Sequence, residues 1–328
     1  MGYNKENFKR IRTEYETKTF AAQAEAEARR DELYREIPTL REMDQGLSAF
    51  GLRIMESALS NRDTEAEIAR LRAENERVIA ARAALLQKYG YPADYSEPKY
   101  ECDACRDTGY VGIRMCKCMR TRLIEAGMES SGLSGLMHKQ SFENFSLDFY
   151  RHDEEIYRRM SNNFRKVKEY ADSFTLESGK PKPLNLFFVG GTGLGKTHLS
   201  TAVARRVIER GYDVFYNSAV GMLSDFEQRR FGNGLAQGDG DMTARYTECD
   251  LLIIDDLGTE TVNQFTLSCL YHVINTRLNL QKPMLINSNL TGPELRKLYS
   301  DRLTSRLTGE FLLIPFYGID VRNQKTRL

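Results

Sequence analysis

One short stretch combines glycines, a lysine and a threonine at the spacing that phosphate-binding loops use. Residues 184–200 read LNLFFVGGTGLGKTHLS, an apolar run followed by a glycine-rich turn and a helix-like segment. The turn fits G-x-x-x-x-G-K-[ST], in which backbone N–H groups curl around a phosphate and the helix N-terminus adds positive potential. A chance glycine turn is the alternative, and the strand before and the helix after argue against it. The predicted nucleotide-binding residues are Gly190, Gly191, Thr192, Gly193, Leu194, Gly195, Lys196 and Thr197.

A pair of acids follows about sixty residues later, at the end of the apolar run in CDLLIIDDLGTE. Two adjacent carboxylates at the end of a buried strand need an ion to face, because burying a charge without a partner is unfavourable. We expect Asp255 to hold Mg²⁺ through water, the Thr197 hydroxyl to ligate the ion, and Lys196 to bridge the β- and γ-phosphates. Asp256 would orient the attacking water, and Glu260 is the alternative for that role.

The segment KPMLINSNL is another apolar run, and it ends in amide side chains. Asn289, in preference to Asn287, is predicted to hydrogen-bond the γ-phosphate or the lytic water. An amide that caps the following turn is the competing interpretation.

Two arginines in YSDRLTSRLTGE, Arg302 and Arg306, are four residues apart and so share one helix face. Neither has a nearby site in the same chain to serve. The spacing suggests an arginine finger that reaches a neighbouring subunit's γ-phosphate, with an exposed helix arginine as the alternative.

Four of the six cysteines lie within seventeen residues, in the order Cys102, Cys105, Cys116 and Cys118. In a chain without a secretion signal, such a group indicates metal binding rather than disulfides. Four thiolates form a closed tetrahedral shell, so we predict a structural Zn²⁺ and no catalysis at the metal; redox chemistry is the alternative. Cys249 and Cys269 lie in apolar surroundings and are interpreted as packing residues.

The elements that must position these residues differ between the two halves of the chain. Residues 1–90 are rich in Ala, Glu, Arg and Leu, a helical composition, with a heptad seam from Ile68 to Tyr89 that predicts a helical hairpin or small bundle. From residue 184, apolar runs alternate with helix-like segments, which predicts a parallel α/β sheet covered by helices on both faces. The predicted segments are a helical partner-binding domain (1–98), a cysteine zinc module (99–129), a linker (130–140) and an ATPase domain (141–328).

Bulk properties exclude several classes of protein. The net charge is +1, the charged fraction is 28% and the mean hydropathy is −0.52, so any contact with DNA must come from local patches. No apolar run approaches the length that spans a membrane, and the first ten residues lack a signal-peptide core. A cytoplasmic location without membrane association is expected.

The motifs GGTGLGKTHL, LLIIDDLGTE, INSNL and DRLTSRL, in this order, resemble the DnaC/DnaI-type helicase loaders and the related IstB transposition ATPases. The resemblance implies an AAA+ fold without a full helical lid, ATP and Mg²⁺ as cofactors, and ATP hydrolysis stimulated by DNA or by assembly into a homo-oligomer. It also implies that Asn289 occupies the sensor-one position, on a strand between the two phosphate motifs. Arg306 matches the finger that acts in trans, and Arg322 matches the sensor-two-like position.

The resemblance further implies a hexameric replicative helicase and single-stranded DNA as partners, during replication initiation. The helical domain and its zinc knuckle would bind the helicase. Aromatic and basic side chains in DFEQRRFG would contact DNA, and Phe142 and Phe145 would flank the adenine, with ordinary packing as the alternative in both places. Two other functions remain open: an IstB-like helper of a transposase, and a zinc-bearing adaptor that uses its nucleotide as a switch without significant turnover.

Overall fold

The computed structural model describes residues 3–59, 64–133, 135, 139–231 and 242–325. Their contacts divide the chain into two compact units. One unit is Arg12–Met119, and the other combines Met1–Ile11 with Arg120–Leu328. The four segments proposed from composition remain a prediction.

The unit Arg12–Met119 is built on three helices and one short hairpin. The elements are α1 (Lys5–Glu36), α2 (Pro38–Leu59), α3 (Thr64–Lys88), β1 (Tyr110–Val111) and β2 (Arg114–Met115). Pro38 is the first residue of α2, a position where the missing N–H leaves no hydrogen bond unmade. Beyond α3, Gly90 takes a φ of 83°, and so α3 ends where the glycine indicated.

Helices α2 and α3 pack together as the predicted hairpin. The side chains of Leu33, Ile37, Leu40 and Leu86 form a small buried core beside them. Arg82, within the predicted seam, forms a half-buried ion pair with Asp44 of α2, with 2.6 Å between Nε and Oδ1. Of the predicted seam, Leu71 is buried and Tyr89 is exposed, and the side chain of Ile68 lies outside the described residues.

The larger unit contains a five-stranded parallel sheet in the order β4-β5-β6-β3-β7, which confirms the predicted α/β class. Its strands are β3 (Asn185–Val189), β4 (Val214–Ser218), β5 (Leu251–Leu257), β6 (Met284–Ser288) and β7 (Phe311–Pro315). Its helices are α4 (Lys117–Ser130), α5 (Glu154–Ser173), α6 (Lys196–Glu209), α7 (Ala219–Phe231), α8 (Met242–Glu248), α9 (Gln264–Asn279), α10 (Gly292–Leu298), α11 (Asp301–Gly309) and α12 (Val321–Lys325). Strand β6 lies between β3 and β5, as the resemblance implied for the strand before Asn289.

Both faces of the sheet are covered because successive side chains of each strand point to opposite faces. Along β3, Leu186 and Phe188 belong to one buried core, which also contains the apolar face of α6. Phe187 belongs to the core on the other face, together with Leu270 of α9 and Leu303 of α11. The strands therefore read as continuous apolar runs, and the phosphate loop and the two acids are held at one end of a buried sheet.

Two segments far from the phosphate loop in sequence also pack onto the larger unit. The Ser131 carbonyl accepts the Tyr216 N–H at 2.9 Å, so the first residues of the stretch expected as a linker lie beside β4. Near the start of the chain, Asn7 Nδ2 donates to the Ala126 carbonyl at 3.0 Å and to Ser130 Oγ at 2.7 Å. No helix in the described ranges is both long and apolar enough to cross a membrane.

Candidate functional site

The predicted phosphate loop connects β3 to the first turn of α6, the strand-to-helix context that the motif requires. Gly193 and Gly195 adopt φ values of 70° and 86°, which side chains rarely tolerate. A Cβ on Gly193 would lie 1.8 Å from Asp320 Oδ1, and one on Gly195 would lie 2.9 Å from the Tyr150 hydroxyl. The loop therefore requires glycine at these positions, and it forms a cradle of backbone groups that fits a phosphate.

Lys196 is 5% exposed, and its ammonium is turned back into the loop. Its Nζ donates to the carbonyls of Gly190 at 2.7 Å and Gly191 at 2.6 Å, and to Asn289 Oδ1 at 2.6 Å. Burial lowers the pKa of Lys196 to about 8, against the opposing effect of the nearby carboxylates. Anionic phosphate oxygens would replace neutral carbonyl partners and raise this pKa again.

Asp255 is 4% exposed and lies opposite the start of α6. Thr197 Oγ1 donates to Asp255 Oδ2 at 2.9 Å, so the two residues predicted to hold Mg²⁺ are already in contact. A carboxylate and a hydroxyl are oxygen donors of the kind that Mg²⁺ prefers, and the pair fits the ion. The strand continues through the acids to Leu257, with a register shift after Ile254, rather than ending at them as expected.

Asp256 lies at that irregularity and has a φ of 54°, in the left-handed region. Its carboxylate lines a cavity of about 270 Å³ together with the loop, Lys196, Asn289 and Arg322. Asn289 Nδ2 lies 3.4 Å from Asp256 Oδ1. The bend in the strand thus directs Asp256 into the space in front of the phosphate loop, whereas Asp255 stays buried beneath it. Burial, with the Asp255 charge as the second cause, raises the pKa of Asp256.

Glu260, the alternative to Asp256, is buried and bound elsewhere. It accepts the Gly258 N–H at 2.8 Å and the Tyr299 hydroxyl. Among the described residues that line the cavity, Asp256 is present and Glu260 is absent. The geometry therefore favours Asp256 as the residue that orients water, and its role remains a prediction.

The two arginines of α11 have different surroundings. Arg302 is exposed, and Arg306 is half-buried with its guanidinium 5.3 Å from the centre of the Tyr271 ring. Arg306 Nη2 also lies 3.2 Å from the Tyr271 hydroxyl. Neither arginine is among the described residues that line the phosphate cavity, whereas Arg322 is.

A family profile described as IstB-like ATP binding protein matches residues 127–312, more than half of the chain. The match includes the phosphate loop, both acids, Asn289 and Arg306, and it ends before Arg322. The chain belongs to this family. The arrangement of the loop, Asp256 and Asn289 around one cavity, with Asp255 beneath the loop, is therefore that of an ATP-binding protein with an AAA+ fold.

Individual relatives agree with the resemblance to the helicase loaders. Protein XkdC of the phage-like element PBSX from Bacillus subtilis is 28% identical over 215 residues, which are 61% of this chain and 76% of XkdC. The replicative helicase loader DnaC of Escherichia coli is 23% identical over 210 residues, 63% of this chain and 79% of DnaC. Among solved structures, AMPPCP-bound DnaA from Aquifex aeolicus is 26% identical with a TM-score of 0.44, over 58% of this chain and 55% of that chain. The chain thus spans little more than half of that DnaA.

The four predicted metal ligands meet at one point within the unit Arg12–Met119. All four Sγ atoms lie within 4.8 Å of one another, with 3.9 Å between Cys102 and Cys116 and 3.5 Å between Cys105 and Cys118. Sulfurs around a tetrahedral zinc at about 2.3 Å would be about 3.8 Å apart, so the cysteine cluster fits this ion. Backbone N–H groups, that of Cys105 first, lower the pKa of Cys102 to about 7, which favours a thiolate.

Two groups around the cysteine cluster orient its ligands. The buried Asp107 carboxylate accepts the backbone N–H of Glu101 at 2.8 Å and of Cys102 at 2.9 Å. The Tyr15 hydroxyl hydrogen-bonds the Cys118 sulfur. Such outer contacts are typical of structural metal sites.

Sequence reasoning missed two residues that hold the Asp255 carboxylate. The Tyr216 hydroxyl donates to its Oδ2, and Asn287 Nδ2 donates to its Oδ1 at 2.7 Å. Burial raises the pKa of Tyr216, so the hydroxyl keeps its proton at neutral pH. The sequence contained one signal for Tyr216. This tyrosine lies in an apolar run, and that run forms β4, the strand beside the acidic strand β5.

The aromatic side chains that were predicted to flank the adenine make packing contacts in the structure. Phe142 is buried against Phe164, and Phe145 stacks between Phe164 and Tyr150. In the segment expected to bind DNA, Arg230 lies 5.3 Å from the centre of the Phe265 ring. The side chain of Phe231, and Gly232, lie outside the described residues.

Proposed function

We propose that this protein is an ATP-dependent loader that delivers a hexameric replicative helicase onto single-stranded DNA. The observation that carries the ATPase part is the single cavity that collects Lys196, Asp256 and Asn289 above the Thr197–Asp255 pair. The loader part is supported by similarity to DnaC over 79% of that protein. A separate helical unit with four clustered thiols is available to bind the partner.

In the proposed reaction each residue has one task. Lys196 would leave the loop carbonyls for the phosphate oxygens, and Thr197 and Asp255 would hold Mg²⁺, which when bound would neutralise charge on the phosphates. Asp256 accepts a hydrogen bond from the attacking water and directs it at the γ-phosphorus. Asn289, which contacts both Lys196 and Asp256 in this structure, donates its amide to the γ-phosphate.

Arg306 acts on another copy of the chain. It lies outside the phosphate cavity of its own chain, and Tyr271 supports its guanidinium. We infer that it supplies positive charge to the γ-phosphate of a neighbouring subunit, so that hydrolysis requires a homo-oligomer. Arg322, on the rim of the cavity, would contact the γ-phosphate of its own chain.

The test uses DNA topology. A closed helicase ring cannot thread onto circular single-stranded DNA unless it is opened, but it can thread onto a linear strand from a free end. We expect the full-length protein with ATP to retain the host's hexameric helicase on circles, and Lys196→Ala to fail. Linear DNA is the matched control, on which the helicase binds with or without the protein.

Three outcomes would contradict the loader. Capture of a transposase in place of a helicase from the native cell would support the alternative that the family description favours, an IstB-like helper ATPase. Helicase retention on circles that is equal with and without the protein would exclude loading. ATP turnover that is negligible both with and without single-stranded DNA would favour a nucleotide-dependent adaptor.

A further inference from the structure

We propose that Tyr216 is a positioning residue for the Mg²⁺-binding carboxylate of Asp255. The inference rests on the proposed function, in which Asp255 holds the ion. It assigns a role to a residue outside the phosphate loop and outside the acidic strand.

The Asp255 carboxylate is held by four donors, two on each oxygen. Oδ1 accepts Asn287 Nδ2 at 2.7 Å and the Asp256 N–H at 3.0 Å. Oδ2 accepts the Thr197 hydroxyl at 2.9 Å and the Tyr216 hydroxyl. The plane of the carboxylate is therefore fixed from both sides in a buried site.

The sheet brings Tyr216 to this place. Strand β4 pairs with β5 in parallel, and Tyr216 is registered with Ile253. Asp255 is two residues further along β5, and so it emerges on the same face as Ile253. A side chain as long as tyrosine spans the diagonal from Tyr216 to Asp255. Ser218, which is registered with Asp255 itself, accepts the Gly221 N–H with its hydroxyl at 3.0 Å.

The two donors to Oδ2 differ in their relation to the ion. The Thr197 hydroxyl is itself a predicted ligand of Mg²⁺, so it would serve the ion and the carboxylate together. Asn287 and the backbone N–H hold only Oδ1. Tyr216 is thus the side-chain donor to Oδ2 whose task would be to orient the carboxylate alone.

Tyr216→Phe removes this hydrogen bond and keeps the ring. Loss of an outer hydrogen-bond partner typically weakens metal binding on the order of 10- to 100-fold, and we expect the lower end because Asn287 remains. The direct readout is Mn²⁺ binding to the protein–ATP complex, followed by electron paramagnetic resonance. Binding of ATP without a divalent ion should stay at the wild-type level, because the phosphate loop is untouched.

Tyr246→Phe is the matched control. Tyr246 is also buried, and its hydroxyl also donates to a carboxylate, that of Asp225, away from the phosphate loop. It should bind Mn²⁺ and ATP like the wild type. A second measurement combines Tyr216→Phe with Asp255→Asn: if Tyr216 acts through Asp255, its effect on Mn²⁺ binding disappears in the double variant.

The outcomes separate this inference from the function on which it rests. If Asp255→Asn alone leaves Mn²⁺ binding unchanged, the proposed metal site is wrong. If Asp255→Asn weakens Mn²⁺ binding but Tyr216→Phe does not, only the role of Tyr216 is overturned. Loss of metal-free ATP binding, or of a cooperative unfolding transition, in Tyr216→Phe would make Tyr216 a structural residue and would also overturn the inference.

Discussion

Lys196 carries its charge in the least solvated part of the site. Three oxygens of the protein satisfy the ammonium, two of them loop carbonyls and one the Asn289 amide oxygen. These partners are neutral, and so they only partly offset the burial that lowers the pKa to about 8. A triphosphate would replace them with anionic oxygens, and the pKa of the bound state must then be higher.

This difference predicts how ATP affinity depends on pH. Because the bound form holds the proton more tightly, the affinity for ATP should be level between pH 7 and about 8 and should fall as the pH rises further. The decrease approaches tenfold per pH unit, since one proton is taken up on binding. Titration calorimetry at pH 7 to 9.5 measures it, with Lys196→Arg as control, because arginine does not titrate in this range. A wild-type profile as flat as that of Lys196→Arg would contradict the assignment.

Without nucleotide, Lys196 affects the stability of the folded chain. This effect increases with pH, whereas the affinity for ATP decreases. Its folded pKa lies below the ordinary value of 10.5, so between about pH 8 and 10.5 the unfolded state binds more protons than the folded state. The contribution of Lys196 to the free energy of unfolding therefore rises with pH across that window. The affinity for ATP, in contrast, should fall as the pH rises through this window.

At the residue scale, sequence alone predicted the groups that share a local motif and missed those that meet across strands. Lys196 and Thr197 follow from spacing, and Asp256 and Asn289 lie where their strands led us to expect them. Tyr216 depends on which strand pairs with β5 and in which register, and a single sequence does not contain that information. The roles assigned to the site residues stay predictions.

Among the elements, the cysteine hairpin is the least able to fold alone. Strands β1 and β2 contain two residues each, and an isolated two-stranded hairpin is at most marginally stable even at greater length. Ile113 at its turn is fully exposed and adds nothing to a core. Packing alone therefore does not explain the fixed positions of the four thiols. Bonds to a metal would supply the additional constraint.

We expect purified protein to contain about one zinc per chain and Cys102→Ser to lose it. The reason is that a structural site of four thiolates is closed and contributes to folding directly. Elemental analysis measures the metal, and limited proteolysis measures the loss of protection within residues 12–119. Cys269→Ser is the control, because this buried cysteine lies in α9, within the other unit. Metal-free protein with the same protection would exclude a structural ion.

The sheet was the part of the fold that sequence predicted best. The strands coincide with apolar runs that the sequence shows from residue 184 onward, because strands buried on both faces of a parallel sheet are mostly apolar. The bend in β5 was not predicted, since Asp256 carries no sequence mark of its left-handed backbone. The packing of Ser131 along β4 was also missed, because serine and glycine resemble a linker in composition.

For the whole molecule, the main question is whether one chain is sufficient for hydrolysis. The pocket of one chain is lined by Lys196, Thr197 and Asp256, and Arg306 is absent from the described lining of that pocket. An isolated chain should therefore bind ATP and hydrolyse it slowly.

Arg306→Ala should bind ATP almost normally and lose on the order of 10³-fold in turnover under assembling conditions, since a finger in trans stabilises charge in the transition state. Mixing it with Lys196→Ala should recover part of the activity, because one chain supplies the pocket and the other the arginine. Arg302→Ala, changed one turn earlier on the same helix, is the matched control and should keep its activity. A mixture as inactive as its two components, although both still assemble, would show that Arg306 does not act in trans.

The contact of Asn7 with Ser130 joins residues separated by 123 positions in the chain. A ribosome adds about 5–20 residues per second, so on the order of 10 s pass between the synthesis of the two partners. Closing so long a loop also carries an entropic penalty that grows with the logarithm of its length. The contacts of Asn7 must therefore wait for Ala126 and Ser130, and all of residues 12–119 are made in the meantime. The order of synthesis thus delays the closure of the larger unit, which is assembled from the two ends of a chain segment made many seconds apart.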